Sequence, residues 1–409
     1  MTPDQLAVWL YGIRVALIAQ ERGRLRLTYT DEALGHFALG VPLLSLSMPL
    51  TSERYGHGRV RPFLDGLLPE GEPRQIIAND LGLLRDDTYG LIRALGRDCA
   101  GAIVIQPVDQ PAPPAPTALT AEPLDDAEIG ELVLNLRSAP LGAGGRVRIS
   151  LAGVQEKLLL TRMPNGRWGR PVDGTPSTHI LKPEIDRFPR TVENEAFCMR
   201  LARNLGLSAP AVETTTIAGR RLIIVERYDR IIRPDASVER VHQEDFCQAM
   251  GIPPEKKYQE DGGPSLRRIA DILMDVGAPG SLDDLLRTVV LNVAIGNGDA
   301  HGKNYSLLFD PSAEMRLTPV YDLVCTMVYG DDRLAMYVDD VRRIDRVTAA
   351  RLVNEAVRWG ISRQRADHIV TDLIDRIPAA ARGAQEETER LSPDVPATVE
   401  AQLAQLNHA

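Results

Sequence analysis

The chain has 409 residues, 44% apolar and 25% charged, the composition of a globular protein too long for one core and suited to two or three packing units. Its 47 basic and 56 acidic residues leave a net charge of −9, which excludes a chain-wide basic surface for nucleic acid but not a local patch. Four scattered cysteines (Cys99, Cys198, Cys247, Cys325) form no CxxC pair and argue against a zinc ribbon or a disulfide framework.

The N-terminal stretch lacks the basic region and cleavage site of a signal peptide. No apolar run reaches the roughly 18–20 residues of a bilayer span, so a cytoplasmic protein without a membrane segment is expected. Residues 5–28 alternate apolar and polar around Gly12 and Gly23 and predict strands joined by tight turns. From Phe63 to Leu83 the apolar spacing is helical. After Gly96-Arg97-Asp98-Cys99-Ala100-Gly101 a short buried strand, AIVIQP, leads into residues 108–118, whose prolines predict a polyproline-like linker and a domain boundary. Residues 128–240 read as β-rich, interrupted by one helix in TVENEAFCMRLARNLGL. From 241 onward helical patterns take over. The expected divisions are 1–108, a linker at 109–127, a β-rich lobe at 128–240, a helical lobe at 241–380 and a tail at 381–409. Such an α+β chain, with polar motifs where the lobes join, places a ligand cleft there.

The strongest motif is Asn297-Gly298-Asp299-Ala300-His301-Gly302-Lys303-Asn304, between an apolar helix and an apolar strand, YSLLF. Asp299 and Asn304 have the Asp-x-x-x-x-Asn spacing of a phosphotransferase loop, in which the aspartate takes the proton of the attacking hydroxyl and the asparagine holds magnesium. A polar turn closed by Asn297 and Asp299 is the competing reading. Asp322 in TPVYDL, expected at the end of a short apolar strand, is placed as a second magnesium ligand or else as a helix cap. SLAGVQEK follows a glycine-rich stretch at 141–146 and lets backbone N–H groups approach phosphate. It matches neither the P-loop nor GxGxxG, and a hairpin turn explains it as well. Lys182, ending the strand in HILKP, could reach nucleotide phosphates and pair with Glu195, or be an exposed strand lysine. VERYDR could offer backbone groups to an adenine edge, or be a solvated charge run. The carboxylates of HQEDF read as complements to a helix dipole, with a supporting role in the cleft as the second reading.

Taken together, SLAGVQEKLLL, HILKPE, ENEAFCMRLARNLGL, VERYDR, HQEDFCQA, NGDAHGKNYSLL and PVYDL resemble the HipA family of serine/threonine kinases, toxins of bacterial type II toxin–antitoxin modules. FLDGLLPEGEPR and LGRDCAGAI extend the resemblance toward the N-terminus. It implies a two-lobed protein-kinase-like fold with an N-terminal β-containing subdomain, and a kinase that uses ATP and magnesium. Asp299 would be the catalytic base, Asn304 and Asp322 the magnesium ligands and Lys182 a phosphate contact. Ala152, Gly153, Val154, Gln155, Glu156 and Lys157 would form the phosphate-covering loop, and Glu226, Arg227 and Tyr228 the adenine-contacting connection. His301, Gly302, Lys303 and Tyr321 would line the nucleotide. Ser150 matches the serine that family members autophosphorylate, which ejects the loop and silences the enzyme. Glycine at 302, where the family commonly has alanine, is expected to add loop freedom. The implied partners are a small HipB-like helix-turn-helix antitoxin, through which alone the kinase would meet DNA, and a protein substrate, aminoacyl-tRNA synthetases being among the family's targets. A small-molecule phosphotransferase and a non-catalytic, antitoxin-bound corepressor are the competing functions.

Overall fold

The computed structural model describes residues 5–115, 117–119, 121–141, 151–153, 155–172, 174–278, 280–309 and 314–407. The chain divides into two compact units. The first comprises Met1–Pro183, Thr216–Arg220 and Glu226–Glu255; the second comprises Glu184–Thr215, Arg221–Val225 and Lys256–Ala409.

In the first unit the alternating N-terminal sequence forms three antiparallel strands, Gln5–Leu10, Ile13–Glu21 and Arg24–Tyr29. Val104–Pro107 adds a fourth against Gln5–Leu10. The sheet buries Leu6, Val8, Ile18, Leu25 and Leu27 in one core with Phe63, Leu64 and Ile77. The helical spacing expected from Phe63 to Leu83 is met by two helices, His57–Leu67 and Gly71–Asp80. The proline-rich segment ends in a two-residue strand, Thr117–Ala118, which pairs with Ser237–Arg240. Farther on, Leu158–Arg162 pairs on one side with His179–Pro183 and on the other with Trp168–Arg170.

The second unit is mainly helical. Thr191–Asn204 and Ser281–Ala294 both pack against the 24-residue helix Arg363–Glu386, which runs through the position where a tail was expected to start. A further helix, Asp394–Leu406, follows. Ser306–Phe309 pairs with Met315–Leu317. That second strand stops at Leu317, so Asp322 does not end a strand as the sequence reading had it; residues 318–323 have no regular structure. Among the described residues, no helix is long and apolar enough to cross a membrane, and all four cysteines are buried free thiols.

Candidate active site

The loop 297–304 is launched by the end of the helix Ser281–Ala294. Gly296 takes φ 69°; its N–H bonds the Val293 carbonyl and the Asn297 N–H bonds the Asn292 carbonyl. This paired closure stops a helix sharply and needs a residue that tolerates positive φ. Asn292, which in the sequence merely interrupts an apolar run, is a clamp. Its Oδ1 accepts from Asn297 Nδ2 at 2.8 Å and its Nδ2 donates to the Tyr305 hydroxyl at 3.1 Å, tying the two ends of the loop to one buried side chain. Asn297 Oδ1 also accepts the Asp299 N–H at 3.2 Å. The turn reading of this motif is therefore right as local structure, and the turn presents Asp299.

Within the loop, the His301 N–H bonds the Asp299 carbonyl at 2.7 Å and Asn304 Oδ1 at 3.1 Å. Asn304 Nδ2 donates to Asp322 Oδ2 at 3.0 Å. Asp322 sits at φ 57°, a left-handed conformation that aspartate tolerates better than most residues. Its neighbour Tyr321 fixes the strand-less segment, its hydroxyl donating to the Lys303 carbonyl at 2.7 Å and meeting Ser306 Oγ at 2.6 Å. Asn194, on the helix Thr191–Asn204, holds the same segment from the other end, through the Cys325 carbonyl at 3.0 Å and N–H at 2.8 Å.

Asp299 is open to solvent on one side, yet crowding on the others desolvates it and raises its pKa above the ordinary carboxylate value, with Asp322 and Asp331 adding to the rise. The hydroxyl of Tyr258, 2.8 Å from Asp299 Oδ1, and the charge of Lys257 oppose it. His301 is buried and held neutral. Desolvation first, then Lys257, push its pKa down to about 3. Asn304 turns its Nδ2 to Asp322 and its Oδ1 to the His301 N–H, so the pair supplies the hard oxygen donors that suit a magnesium ion only when Oδ1 and the Asp322 carboxylate turn to face it together. Among the described residues no group of three or more His, Cys, Asp and Glu side chains could form a protein cage for a metal.

Gly302 does not add freedom to this loop as expected. A Cβ built there would lie 2.4 Å from Pro264 Cγ, so the glycine is there for close approach.

The other described residues that the sequence singled out lie in the first unit, Glu195 apart. Gly153, with φ 117°, bridges Pro69 in parallel, and its carbonyl accepts the Glu70 N–H at 3.2 Å. This links Gly153 to the LPEGEP segment. The buried Lys157 donates to the Ala152 carbonyl at 2.5 Å. Gln155 Nε2 reaches the Pro183 carbonyl at 3.3 Å, and Glu156 pairs with Arg220 at 3.4 Å and Arg137 at 3.5 Å. Lys182 is buried in the strand His179–Pro183 rather than exposed. Glu195, its suggested partner, is buried in the second unit. Ser150 and Val154 lie outside the described residues.

VERYDR is not a solvated charge run. Arg227, Asp229 and Arg230 are buried with Asp98 and Arg240. Arg227 grips Asp229 with two hydrogen bonds, Nε to Oδ1 at 3.0 Å and Nη2 to Oδ2 at 2.8 Å. Arg230 Nη2 reaches Asp98 Oδ1 at 2.9 Å. Asp98 Oδ2 accepts the N–H and hydroxyl of Ser177, and Asp229 Oδ2 the Gly101 N–H. Burial alone would raise both carboxylates. Arg230, Arg227 and Arg240 outweigh it at Asp98, and Arg227 and Arg230 at Asp229, so both pKa values are lowered. Three guanidiniums share two carboxylates, and Arg240, 3.6 Å from Asp98, is the least compensated. Burial pulls its pKa down to about 10. The guanidinium of Arg227 is thus committed to the fold, as is its backbone, whose N–H bonds the Thr178 carbonyl at 2.9 Å and whose carbonyl accepts the Arg230 N–H at 3.3 Å, while Glu226 is exposed.

In HQEDF, Asp245 caps the four-residue helix Phe246–Ala249 in a reciprocal box with Gln248. Glu244 belongs to the preceding strand, His242–Asp245, and is buried, not a dipole complement.

Residues 149–381 match the HipA-like C-terminal domain and residues 6–106 the HipA N-terminal domain. The chain is 38% identical over 400 residues to the putative kinase Y4mE of Sinorhizobium fredii, covering 96% of this chain and 94% of that protein. It is 33% identical over 358 residues to the serine/threonine-protein kinase toxin HipA of Shewanella oneidensis, covering 83% and 80%. In three dimensions it matches a chain of the solved complex of HipA, HipB and operator DNA from Shewanella oneidensis with a TM-score of 0.82 and 28% identity, covering 98% of this chain and 95% of that one. The fold is α+β and kinase-like, and the molecule is a protein kinase of the serine/threonine class. More narrowly, the chain belongs to the HipA family of toxin kinases.

Proposed function

We propose that this kinase uses ATP and magnesium to phosphorylate serine or threonine in a cellular protein, and that it acts in the cytoplasm as the toxin of a type II toxin–antitoxin module. The observation that carries the reading is one braced loop that carries both Asp299 and Asn304, with Asn304 Nδ2 3.0 Å from Asp322 Oδ2. In the transfer, the Asp299 carboxylate accepts the proton of the substrate hydroxyl as its oxygen bonds the γ-phosphorus and the bond to the leaving ADP oxygen breaks. A carboxylate raised by desolvation is a stronger proton acceptor than a free one. Asn304 and Asp322 would hold magnesium, which when bound neutralises phosphate charge. Lys182, Lys157 and the backbone of residues 152–157 would hold the phosphates, and the backbone at 226–228 the adenine. His301, neutral and buried, keeps the loop in place without adding charge beside the metal.

The Shewanella relative was solved with HipB and operator DNA. A net charge of −9 suits a division of labour in which a HipB-like antitoxin supplies most phosphate contacts to DNA. Phosphate on Ser150 would add roughly −1.5 to −2 charge beside a loop that must itself bind phosphate, and would expel it.

Purified protein given radiolabelled ATP and a cell extract should label protein, and Asp299→Ala should lower the rate by about 10²–10⁴. Full labelling by that variant would falsify the assignment of the base. Label appearing only on a small-molecule hydroxyl would move the reading to the other phosphotransferase class. Expression without a partner should arrest growth for the parent chain and not for the Asp299→Ala variant.

A further inference from the structure

The segment 257–264, KYQEDGGP, meets the loop 297–304 at Asp299 and at Gly302. We propose that Tyr258 is a positioning residue for the base, and that this segment is a fitted bracket which selects the Asp299 oxygen that takes the proton. The inference rests on the reading of Asp299 as base and deepens it.

Three contacts fasten the bracket to the catalytic loop. The Tyr258 hydroxyl donates to Asp299 Oδ1 at 2.8 Å. The Lys257 carbonyl accepts the Gly302 N–H at 3.1 Å. The Pro264 ring fills the space where a side chain at 302 would go, 2.4 Å from an ideal Cβ. The Tyr258 ring also stands edge-on to His301, centroids 5.4 Å apart, with Lys257 Nζ 5.6 Å from the Tyr258 centroid on its face. The bracket has its own close fit, since a Cβ on Gly263 would lie 2.1 Å from the Lys256 carbonyl oxygen.

The chemical consequence lies in how the two carboxylate oxygens divide. Oδ1 accepts from Tyr258, and among the described residues no donor reaches Oδ2. A carboxylate with one oxygen committed cannot rotate freely, so Oδ2 is presented to an incoming hydroxyl in one orientation. A hydrogen bond to the charged form also favours that form. Among the described residues, the charged and titratable groups that act most on Asp299 are Tyr258 and Lys257, which lower its pKa, and Asp322 and Asp331, which raise it, with the neutral His301 beside them. Losing the Tyr258 donor therefore moves Asp299 toward higher pKa.

Tyr258→Phe keeps the ring against His301 and removes only the donor. With radiolabelled ATP and a cell extract as acceptor, the maximal rate should fall about tenfold. The half-saturating ATP concentration should stay within about twofold, as should the affinity for a fluorescent ATP analogue titrated with magnesium. The acid limb of the rate profile should move to higher pH. In an Asp299→Asn background the same change should have no further effect, because residues that act as a unit are not additive. An unshifted acid limb, an unchanged maximal rate, or a loss expressed in ATP affinity instead of rate would each overturn the positioning role. Full activity of Asp299→Asn alone would overturn the base reading instead. A dead Asp299→Asn beside a normal Tyr258→Phe removes only the inference about Tyr258. Tyr258→Trp, which keeps a ring and an N–H donor on a different reach, guards against a folding defect: thermal unfolding unchanged with the rate lowered supports positioning, whereas both falling together overturns it.

Discussion

Two polar segments of this molecule look alike in sequence and behave oppositely in structure. NGDAHGKN leaves Asp299 open to solvent, under the influence of the carboxylates Asp322 and Asp331 and, among the described residues, with no guanidinium bonded to it. VERYDR buries Asp229 against two guanidiniums and joins Asp98 in a network shared by Arg227, Arg230 and Arg240. Desolvation acts on all three carboxylates. In the network the arginine charges reverse its effect and lower the pKa values; at Asp299 one phenol and one lysine do not. The density of charge in a motif says little about its role. If Asp299 is the proposed base, what separates it from the structural carboxylates is whether its partners neutralise it.

The comparison can be broken by making the same change on both sides. Asp299→Asn should abolish most of the transfer, by about 10²–10⁴, with thermal unfolding essentially unchanged. Asp98→Asn should do the reverse. It leaves Arg230, Arg227 and Arg240 facing one remaining carboxylate in a buried site, a loss of about 3–5 kcal/mol of stability. Unfolding curves and initial rates on both variants decide it. If Asp98→Asn unfolds like the parent chain, the network is not what closes the first unit.

Much of this was legible in the sequence. The N-terminal strands, the helix Thr191–Asn204 and the helix leading into the catalytic loop follow from periodicity, because each buries one regular face. The Asp299–Asn304 spacing was readable because five residues of loop carry the geometry by themselves. The environment of Asp322 was not, since a left-handed residue in a strand-less segment has no periodic signature. Nor were Asn292 and Tyr258, whose roles depend on partners 13 and 41 residues away. The Gly262-Gly263-Pro264 run next to Tyr258 was the available signal, a tight turn too costly to keep without a purpose.

Glu244 sharpens the comparison as a third case, buried and, among the described residues, in no ion pair. Its Oε1 accepts the Leu46 N–H at 2.8 Å, while Oε2 finds no hydrogen-bond partner among the described residues. Desolvation, helped by Asp245 and opposed by Ser45 and the Leu46 N–H, pushes its pKa up to about 8. The folded state thus prefers the protonated acid. Its contribution to stability is complete below the unfolded value of 4.5 and is lost as pH rises through about 8. Glu244→Gln should therefore be more stable than the parent chain at pH 9, by about 2–3 kcal/mol, and no more stable at pH 4. Denaturant titrations at the two pH values test it. An equal effect at both would mean that the charge of Glu244 is not what matters.

The smallest effect is expected at Gly302, where the catalytic loop and its bracket touch. If glycine supplied flexibility there, alanine would stiffen the loop at little cost. The close approach of Pro264 argues otherwise. A Cβ at 2.4 Å from Cγ and 2.8 Å from Cδ must displace a ring that has few rotamers, and the Lys257 carbonyl bonded to the Gly302 N–H would move with it. Overpacking of this kind costs about 1–2 kcal/mol. Because the displaced bracket also carries Tyr258, the rate should fall several-fold together with stability. Gly302→Ala paired with Pro264→Ala should recover both, since the smaller residue vacates the space the new methyl needs. If Gly302→Ala alone matches the parent chain in rate and unfolding, the contact at 302 is soft, and the bracket holds Asp299 through Tyr258 alone.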